Sequence, residues 1–179
     1  VRLFAAVVPP REALAHLSGA LGRVRSDDKQ VRWTRVESWH LTLAFYGSGT
    51  PEQARERTGW LEERLRGRRP AQVRLAGAGT FRGVLWAGVG GDVETLREIA
   101  RAAGAEEEGP DGSRPWHPHL TLARWRSPRR PATVREVVRG MADYRGPSWV
   151  VSDVILMNSE LHPSGARYTE QARFRLSEP

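Results

Sequence analysis

Two short runs of this sequence are identical: His40-Leu41-Thr42-Leu43 and His119-Leu120-Thr121-Leu122, 79 residues apart in a chain of 179. An alanine follows each copy, Ala44 and Ala123. In a β-strand, side chains two apart share a face. Each run therefore sets an imidazole beside a hydroxyl and sends the leucines to the opposite face. Imidazole gives and takes a proton near neutral pH. Two of them across a cleft can serve as general acid and general base. Two threonine hydroxyls beside them can hydrogen-bond the oxygens of a phosphate held between the rings. Such a site needs no metal ion, no other cofactor and no thiol, and the chain has no cysteine. One His-x-Thr alone is an ordinary half-buried strand pattern; its return half a chain later, on an equivalent element, is what gives it weight.

The elements that would position these pairs can be read from periodicity and turn chemistry. Residues 2–8 read as a strand, and Pro10 to Arg25 as a helix with Leu14, Leu17, Leu21 and Val24 at helical spacing. Val31–Trp33 is a short strand. Trp39–Tyr46 alternates, with Trp39, Leu41, Leu43 and Phe45 on one face and His40, Thr42, Ala44 and Tyr46 on the other. Thr50 is the expected N-cap of a helix that begins at Pro51 and runs to about Arg66 before Gly67. Val73–Phe81 and Val84–Val89 form a strand pair around Arg82-Gly83. Asp92 caps a helix to about Ala103, and Gly104 to Arg114 is a mobile connection. His119–Trp125 is a strand, Pro131–Met141 a helix, and Trp149–Met157 and Arg167–Leu176 are closing strands around a Pro163-Ser164-Gly165 turn. This order is α+β with antiparallel sheets. The repeat further predicts a bilobal arrangement: two pseudo-symmetric lobes of antiparallel sheet with outer helices around a central cleft, the whole of residues 1–179 forming one domain.

Composition narrows the chemistry and the partners. With no cysteine, thiolate nucleophiles, cysteine-ligated metals and disulfide frameworks are excluded. There are 28 basic and 21 acidic side chains, a net charge of +7, and Lys29 is the only lysine. Arginine recognises phosphate in bidentate fashion better than lysine does, but the excess is spread along the chain and does not by itself name nucleic acid. The apolar opening, Val1 to Val8, is too short for a signal peptide and ends at Pro9-Pro10. No apolar run approaches the ~20 residues that span a bilayer. A cytoplasmic protein with no membrane partner, working as a monomer, is expected.

Other candidates are weaker. His117 with His119 could mimic a metal pair, but no carboxylate ligand stands nearby in the sequence, so a place at the cleft rim or in the framework is expected. His16 and His162 read as surface residues. Ser38, Ser148 and Ser152 lack a nucleophile-elbow context. Gly88-Val89-Gly90-Gly91 completes no nucleotide-binding fingerprint. Trp116 and Trp125 flank the second run and are candidates for a base-stacking wall, as is Phe4 on the first strand. Arg126, Arg129 and Arg130 form a basic run that reads first as a solvated face.

Taken together, these segments resemble the 2H phosphoesterase superfamily, named for two His-x-Thr motifs. Within it the chain is most similar to the bacterial and archaeal RNA 2′,3′-cyclic phosphodiesterase family, also called 2′-5′ RNA ligase. Arg2-Leu3-Phe4-Ala5-Ala6-Val7 resembles its opening strand. Val31-Arg32-Trp33 with His40 to Gly47 resembles its first motif region, Gly79-Thr80-Phe81 with Val84 to Val89 its middle, and Pro118 to Arg124 its second motif. The tail from Val154 to Leu176, with Ser159, Gly165 and Tyr168, is similar too. Two positions depart from it: His117, where arginine is common, and Tyr46, where leucine is. The resemblance implies a bilobal cleft enzyme that hydrolyses an RNA-terminal 2′,3′-cyclic phosphate to a 2′-phosphate without a metal. It implies His40 as proton donor to the leaving 3′ oxygen and His119 as proton acceptor. Thr42 and Thr121 would hold phosphate oxygens, and Arg124 would add charge to the developing phosphorane. Ligation forming a 2′-5′ bond would be a minor activity of the same cleft. Two alternatives remain open at this point: a phosphodiesterase acting on small cyclic nucleotides, and an RNA-end-binding module without turnover.

Overall fold

The computed structural model describes residues 1–105 and 115–177. Its described elements are β1 (Arg2–Val7), α1 (Arg11–Val24), β2 (Val31–Trp33), β3 (Leu41–Ser48), α2 (Pro51–Leu65), β4 (Ala71–Phe81), β5 (Val84–Gly91), α3 (Val93–Ala102), β6 (His119–Trp125), α4 (Ala132–Gly140), β7 (Trp149–Val151), β8 (Asp153–His162) and β9 (Gly165–Arg175). A 3₁₀ turn, Val36–Ser38, precedes β3. Most of the predicted connection from Gly104 to Arg114 lies outside the described residues. None of the described helices is long and apolar enough to cross a membrane.

The strands form one curled antiparallel sheet in the order β7-β4-β5-β6-β3-β1-β8-β9, with β2 added on β6. The two inner strands, β3 and β6, are the ones that carry the repeated tetrapeptide. Outward from them the neighbours match in pairs: β1 and β5, then β8 and β4, then β9 and β7. The expected pseudo-symmetric lobes are therefore the two halves of a single sheet. They join narrowly, since β3 and β6 pair through Leu41↔Leu120 alone.

Burial explains why the motif strands sit where they do. Leu41, Leu43, Leu120 and Leu122 are at most 1% exposed, all on the helical side of the sheet. That forces His40, Thr42, His119 and Thr121 to the concave side. Under one half, α1 and α4 pack on each other and on β4; under the other, α2 packs on β9 and on α3, and α3 spans the two halves, reaching both β3 and β4. The predicted stripe of α1 is buried at Leu17 and Leu21. Thr50 and Gln53 form a reciprocal capping box at the start of α2, and Asp92 caps α3 by accepting from the Thr95 N–H.

Two expectations fail for the same reason: pairing overrides the local pattern. The closing strand expected over residues 149–157 breaks at Ser152. β7 pairs with β4 at one end of the sheet, and β8 pairs with β1 in the other half. Ser152 turns the chain from one half to the other, its carbonyl taking the Leu176 N–H at 2.8 Å. The alternation expected along 39–46 also breaks. The register of β3 on β1 shifts between Ala5 and Ala6, and again between Leu3 and Phe4. The first shift is a bulge at Leu43, so Ala44 turns inward and is buried, while Phe45 turns out and is 57% exposed.

Candidate active site

The concave side of the sheet holds a cleft of about 350 Å³ where the two halves meet. Both motifs line it: His40 and Thr42 from β3, His119 and Thr121 from β6. Arg124, Phe4 and Arg2 line it as well, with Phe45 from the bulged part of β3 and Ser159, Leu161 and Tyr168 from the β8–β9 hairpin. Among the described residues that line it, none is acidic. An anion entering this cleft meets two guanidinium groups and, from these residues, no carboxylate.

The two imidazoles are anchored in the same way. His40 Nδ1 lies 2.8 Å from the Ser38 carbonyl, and His119 Nδ1 lies 2.8 Å from the His117 carbonyl. A carbonyl only accepts, so each Nδ1 carries the hydrogen and each neutral ring keeps its lone pair on Nε2. In both motifs the anchor is the residue two places earlier, just before the strand. The His40 Nε2 is 3.0 Å from Thr42 Oγ1, which donates to it when the ring is neutral and accepts from it when the ring is protonated. That bond is what the shared strand face provides for residues two apart.

Their surroundings set their acidity. Burial holds His40 below the ordinary 6.5; the Ser38 carbonyl opposes this, and repulsion from His119 adds to it. Burial likewise lowers His119; the His117 carbonyl opposes it, and the Arg124 charge adds to the lowering. The site thus starts neutral near pH 7, and because the rings repel as cations it accepts one proton more readily than two.

Phe4 and Trp116 occupy different places from the stacking wall expected of them. Phe4 is 3% exposed and packs beneath His40, ring centroids 5.0 Å apart, and Tyr168 stands edge-on to both rings, 5.1 Å from His40 and 5.2 Å from Phe4. Phe4 is a floor under the imidazole. Trp116 is not among the residues lining the cleft. Its indole N–H donates to the Thr42 carbonyl at 3.0 Å, and Arg97 lies over its ring and donates to its carbonyl at 3.2 Å. It bridges the gap where β3 and β6 diverge after their one pair. Trp125 is half-buried and packs against the core. Arg126, Arg129 and Arg130 are exposed, as a solvated face would be.

Several residues at the site carry little signal in the sequence. Ser38 matters through its carbonyl, which any residue type would supply. Phe45, with Arg2 stacked 5.1 Å from its ring, reaches the cleft only because of the bulge. Tyr46, on the far side of β3, donates to the Ala103 carbonyl at 2.6 Å. It ties the first motif strand to the end of α3, and burial pushes its phenol well above the ordinary range. The departure from leucine at this position therefore has a polar purpose as well as an apolar one. His117 is exposed, its ring 6.3 Å from that of His119 in a stacked arrangement. Among the described residues no group of three or more His, Asp or Glu is placed to hold a metal ion.

The cleft and fold can be set beside known proteins. A family model described as the 2′-5′ RNA ligase superfamily matches residues 10–163. An RNA 2′,3′-cyclic phosphodiesterase of Methanothermobacter thermautotrophicus is 32% identical, over 98% of this chain and 99% of the relative. A second, from Thermus thermophilus, is 31% identical over 98% of this chain and 90% of its own. A solved structure of a Thermus thermophilus protein superposes with a TM-score of 0.77 at 29% identity, covering 99% of both chains. Escherichia coli LigT in its apo form superposes at 0.75 with 23% identity, over 99% of this chain and 98% of that one, and shows the same fold.

Proposed function

The chain belongs to the 2′-5′ RNA ligase superfamily, and from that membership we propose that it opens the 2′,3′-cyclic phosphate at an RNA end to leave a 2′-phosphate, using His40 and His119 as acid and base. The observation that carries the two-histidine reading is the matched anchoring of the two rings through Nδ1, which leaves Nε2 as the proton-transfer atom of each. Relatives named RNA 2′,3′-cyclic phosphodiesterase, similar over nearly the whole chain, support the substrate class.

The cyclic phosphate enters as a monoanion between Arg124 and Arg2. Its charge raises the proton affinity of both imidazoles, and their mutual repulsion limits the pair to one proton. His40 is the ring that holds it. Arg124 disfavours the proton on His119, and protonation of His40 turns its Nε2 into a donor toward the leaving 3′ oxygen. Thr42, no longer needed as donor to that nitrogen, is then free to bond a phosphate oxygen. His119 remains neutral and takes a proton from water as the water oxygen attacks phosphorus. The phosphorus–O3′ bond breaks, and O3′ receives the proton of His40. Thr121 and Arg124 bear on the oxygens of the phosphorane, where charge builds up. The product is a 2′-phosphate and a free 3′-hydroxyl. His40 leaves the step neutral and His119 protonated, and exchange with solvent restores the starting pair.

No residue in this sequence of events needs a metal ion. A 5′-hydroxyl of a second RNA in place of the water would form a 2′-5′ bond by the same steps; in dilute solution water prevails, so ligation is the minor outcome. Both motifs come from one chain, so residues 1–179 can act as a bilobal monomer. The test is a short RNA ending in a 2′,3′-cyclic phosphate, incubated with and without EDTA. The expected product is a 2′-phosphate in both. A 3′-phosphate product would overturn the assignment of leaving oxygen, and loss of activity in EDTA would overturn the metal-free reading.

A further inference from the structure

An RNA end that places its cyclic phosphate between His40 and His119 must lead its upstream chain out of the cleft. On the β8–β9 side, Leu161, Ala166 and Tyr168 line the cleft. The other side is built differently. On β4 and β5, Val73, Leu75, Leu85 and Ala87 are buried toward the helices, so Arg74, Ala76, Trp86 and Gly88 fall on the concave side. The register puts Trp86 beside Thr121 and Gly88 beside His119. From the two motif residues outward, this face is therefore one indole, then glycine and alanine, then one arginine.

The indole lies down on this floor. A Cβ at Gly79, opposite Trp86 on β4, would stand 2.5 Å from two atoms of its six-membered ring, and one at Gly88 would stand 3.3 Å from a third. Glycine at both positions lets the ring rest on the sheet, just outside the residues that line the cleft and next to Thr121, which does line it. This arrangement carries a cost. The Trp86 Nε1 is buried with no hydrogen-bond partner, a loss that a phenylalanine filling the same space would avoid. The other orphaned indole, Trp33, carries the Arg25 guanidinium 4.9 Å from its ring. Beside Trp86 stand the rings of His117, 4.9 Å away, and Phe81, 5.8 Å away.

We propose that Trp86 is a stacking shelf for the base of the nucleotide upstream of the cyclic phosphate, with Arg74 at the outer end of the same face meeting a backbone phosphate. The inference rests on the RNA-end reading above and deepens it: the preferred substrate is an oligonucleotide, and a mononucleoside cyclic phosphate leaves the shelf empty. Stacking of a base on an aromatic ring is sequence-tolerant and strong enough to change affinity about tenfold or more.

The experiment measures kcat/KM for a trinucleotide ending in 2′,3′-cyclic phosphate and for the matching mononucleoside 2′,3′-cyclic phosphate, in the wild type and in Trp86→Leu. The readout is the ratio of the two. Any effect of the substitution on His119 acts on both substrates and cancels. The wild type is expected to favour the trinucleotide by about tenfold, and Trp86→Leu to bring the ratio within about twofold of one. A wild-type ratio near one, or a ratio unchanged by Trp86→Leu, overturns the proposal. If Trp86→Leu does not fold, Trp86→Phe reads the same ratio and is expected to lower it at least twofold. If the wild type hydrolyses neither substrate, the proposed activity fails, and the shelf is judged by binding alone. A trinucleotide 2′-phosphate should then bind more tightly than a nucleoside 2′-phosphate in the wild type and not in Trp86→Leu; equal discrimination in both proteins overturns it.

Discussion

The two copies of His-Leu-Thr-Leu are chemically identical, yet the two halves of the sheet surround them differently. His40 packs in one cluster with Phe4 and Tyr168 and is hydrogen-bonded to Thr42. His119 has the Phe81 ring 4.9 Å away, the exposed His117 beside it and the charge of Arg124 near enough to lower its proton affinity. Both imidazoles have aromatic neighbours and both are lowered by burial, but only at His119 does the Arg124 charge add to the lowering. A duplicated motif thus becomes an unequal pair, and the inequality comes from the neighbouring strands. Burial makes the proton of His40 easier to give up, which suits an acid once the charge of the substrate has placed a proton there. A ring beside a guanidinium resists protonation and suits a base.

The largest effects should test that division directly. His40→Ala and His119→Ala should each lower kcat by about 10²–10⁴-fold on a cyclic-phosphate RNA end. The two variants should separate on a substrate whose leaving group needs no proton, such as an aryl phosphodiester of a nucleoside. His40→Ala should regain most of its loss there, and His119→Ala should not. Equal rescue of both, or rescue of His119→Ala alone, would reverse or dissolve the assignment. Arg124→Gln comes next, with a loss of about tenfold in kcat from the charge it brings to the phosphorane. Arg124 also lowers the His119 pKa. Its removal should therefore move the acidic limb of the kcat/KM profile to higher pH, because the base must be neutral to act. A profile that stays in place would mean that the limb belongs to another group.

The two His-x-Thr pairs that line the cleft were legible in the sequence because strand geometry alone puts residues two apart on one face, and buried leucines alone decide which face. The repeat on equivalent elements gave the two halves. What stayed hidden depends on partners distant in the chain. The bulge at Leu43 exists only against β1, so the alternation that placed Phe45 inward was sound locally and wrong in the sheet. The break at Ser152 reflects two pairings at opposite ends of the sheet, and a run of strand-forming residues cannot show it. The anchors of both imidazoles are backbone carbonyls and leave no mark on residue type. Trp116 was expected to stack a base because it is aromatic and adjacent to the motif; its indole N–H is instead spent on a carbonyl 74 positions away.

That bond gives the third prediction, since Trp116 ties the two unequal halves together beside the single Leu41↔Leu120 strand pair. Trp116→Phe keeps a ring beside Arg97 and removes only the N–H, leaving the Thr42 carbonyl unpaired. A net hydrogen bond of this kind contributes ~1 kcal/mol. If the bond holds the two motifs at working distance, kcat should fall about fivefold while KM stays nearly constant. A stability loss with unchanged kcat would make Trp116 part of the framework only.

The smallest effect lies in stability, and it asks whether both halves keep their rings neutral in the free protein. The two imidazoles titrate below the ordinary 6.5 when folded. Between that value and their folded values the unfolded chain binds protons that the folded chain refuses. Stability should therefore fall as pH is lowered through 6.5 and stop falling, on their account, below the folded values. Replacing both with asparagine should flatten the dependence of denaturation midpoint on pH between about pH 7 and 5, the range in which imidazoles titrate. Single replacements divide the slope between the halves. His40→Asn should remove more of it than His119→Asn if burial lowers proton affinity more than a neighbouring guanidinium at the cleft does. The opposite order would make Arg124, rather than burial, the main source of the inequality between the two copies.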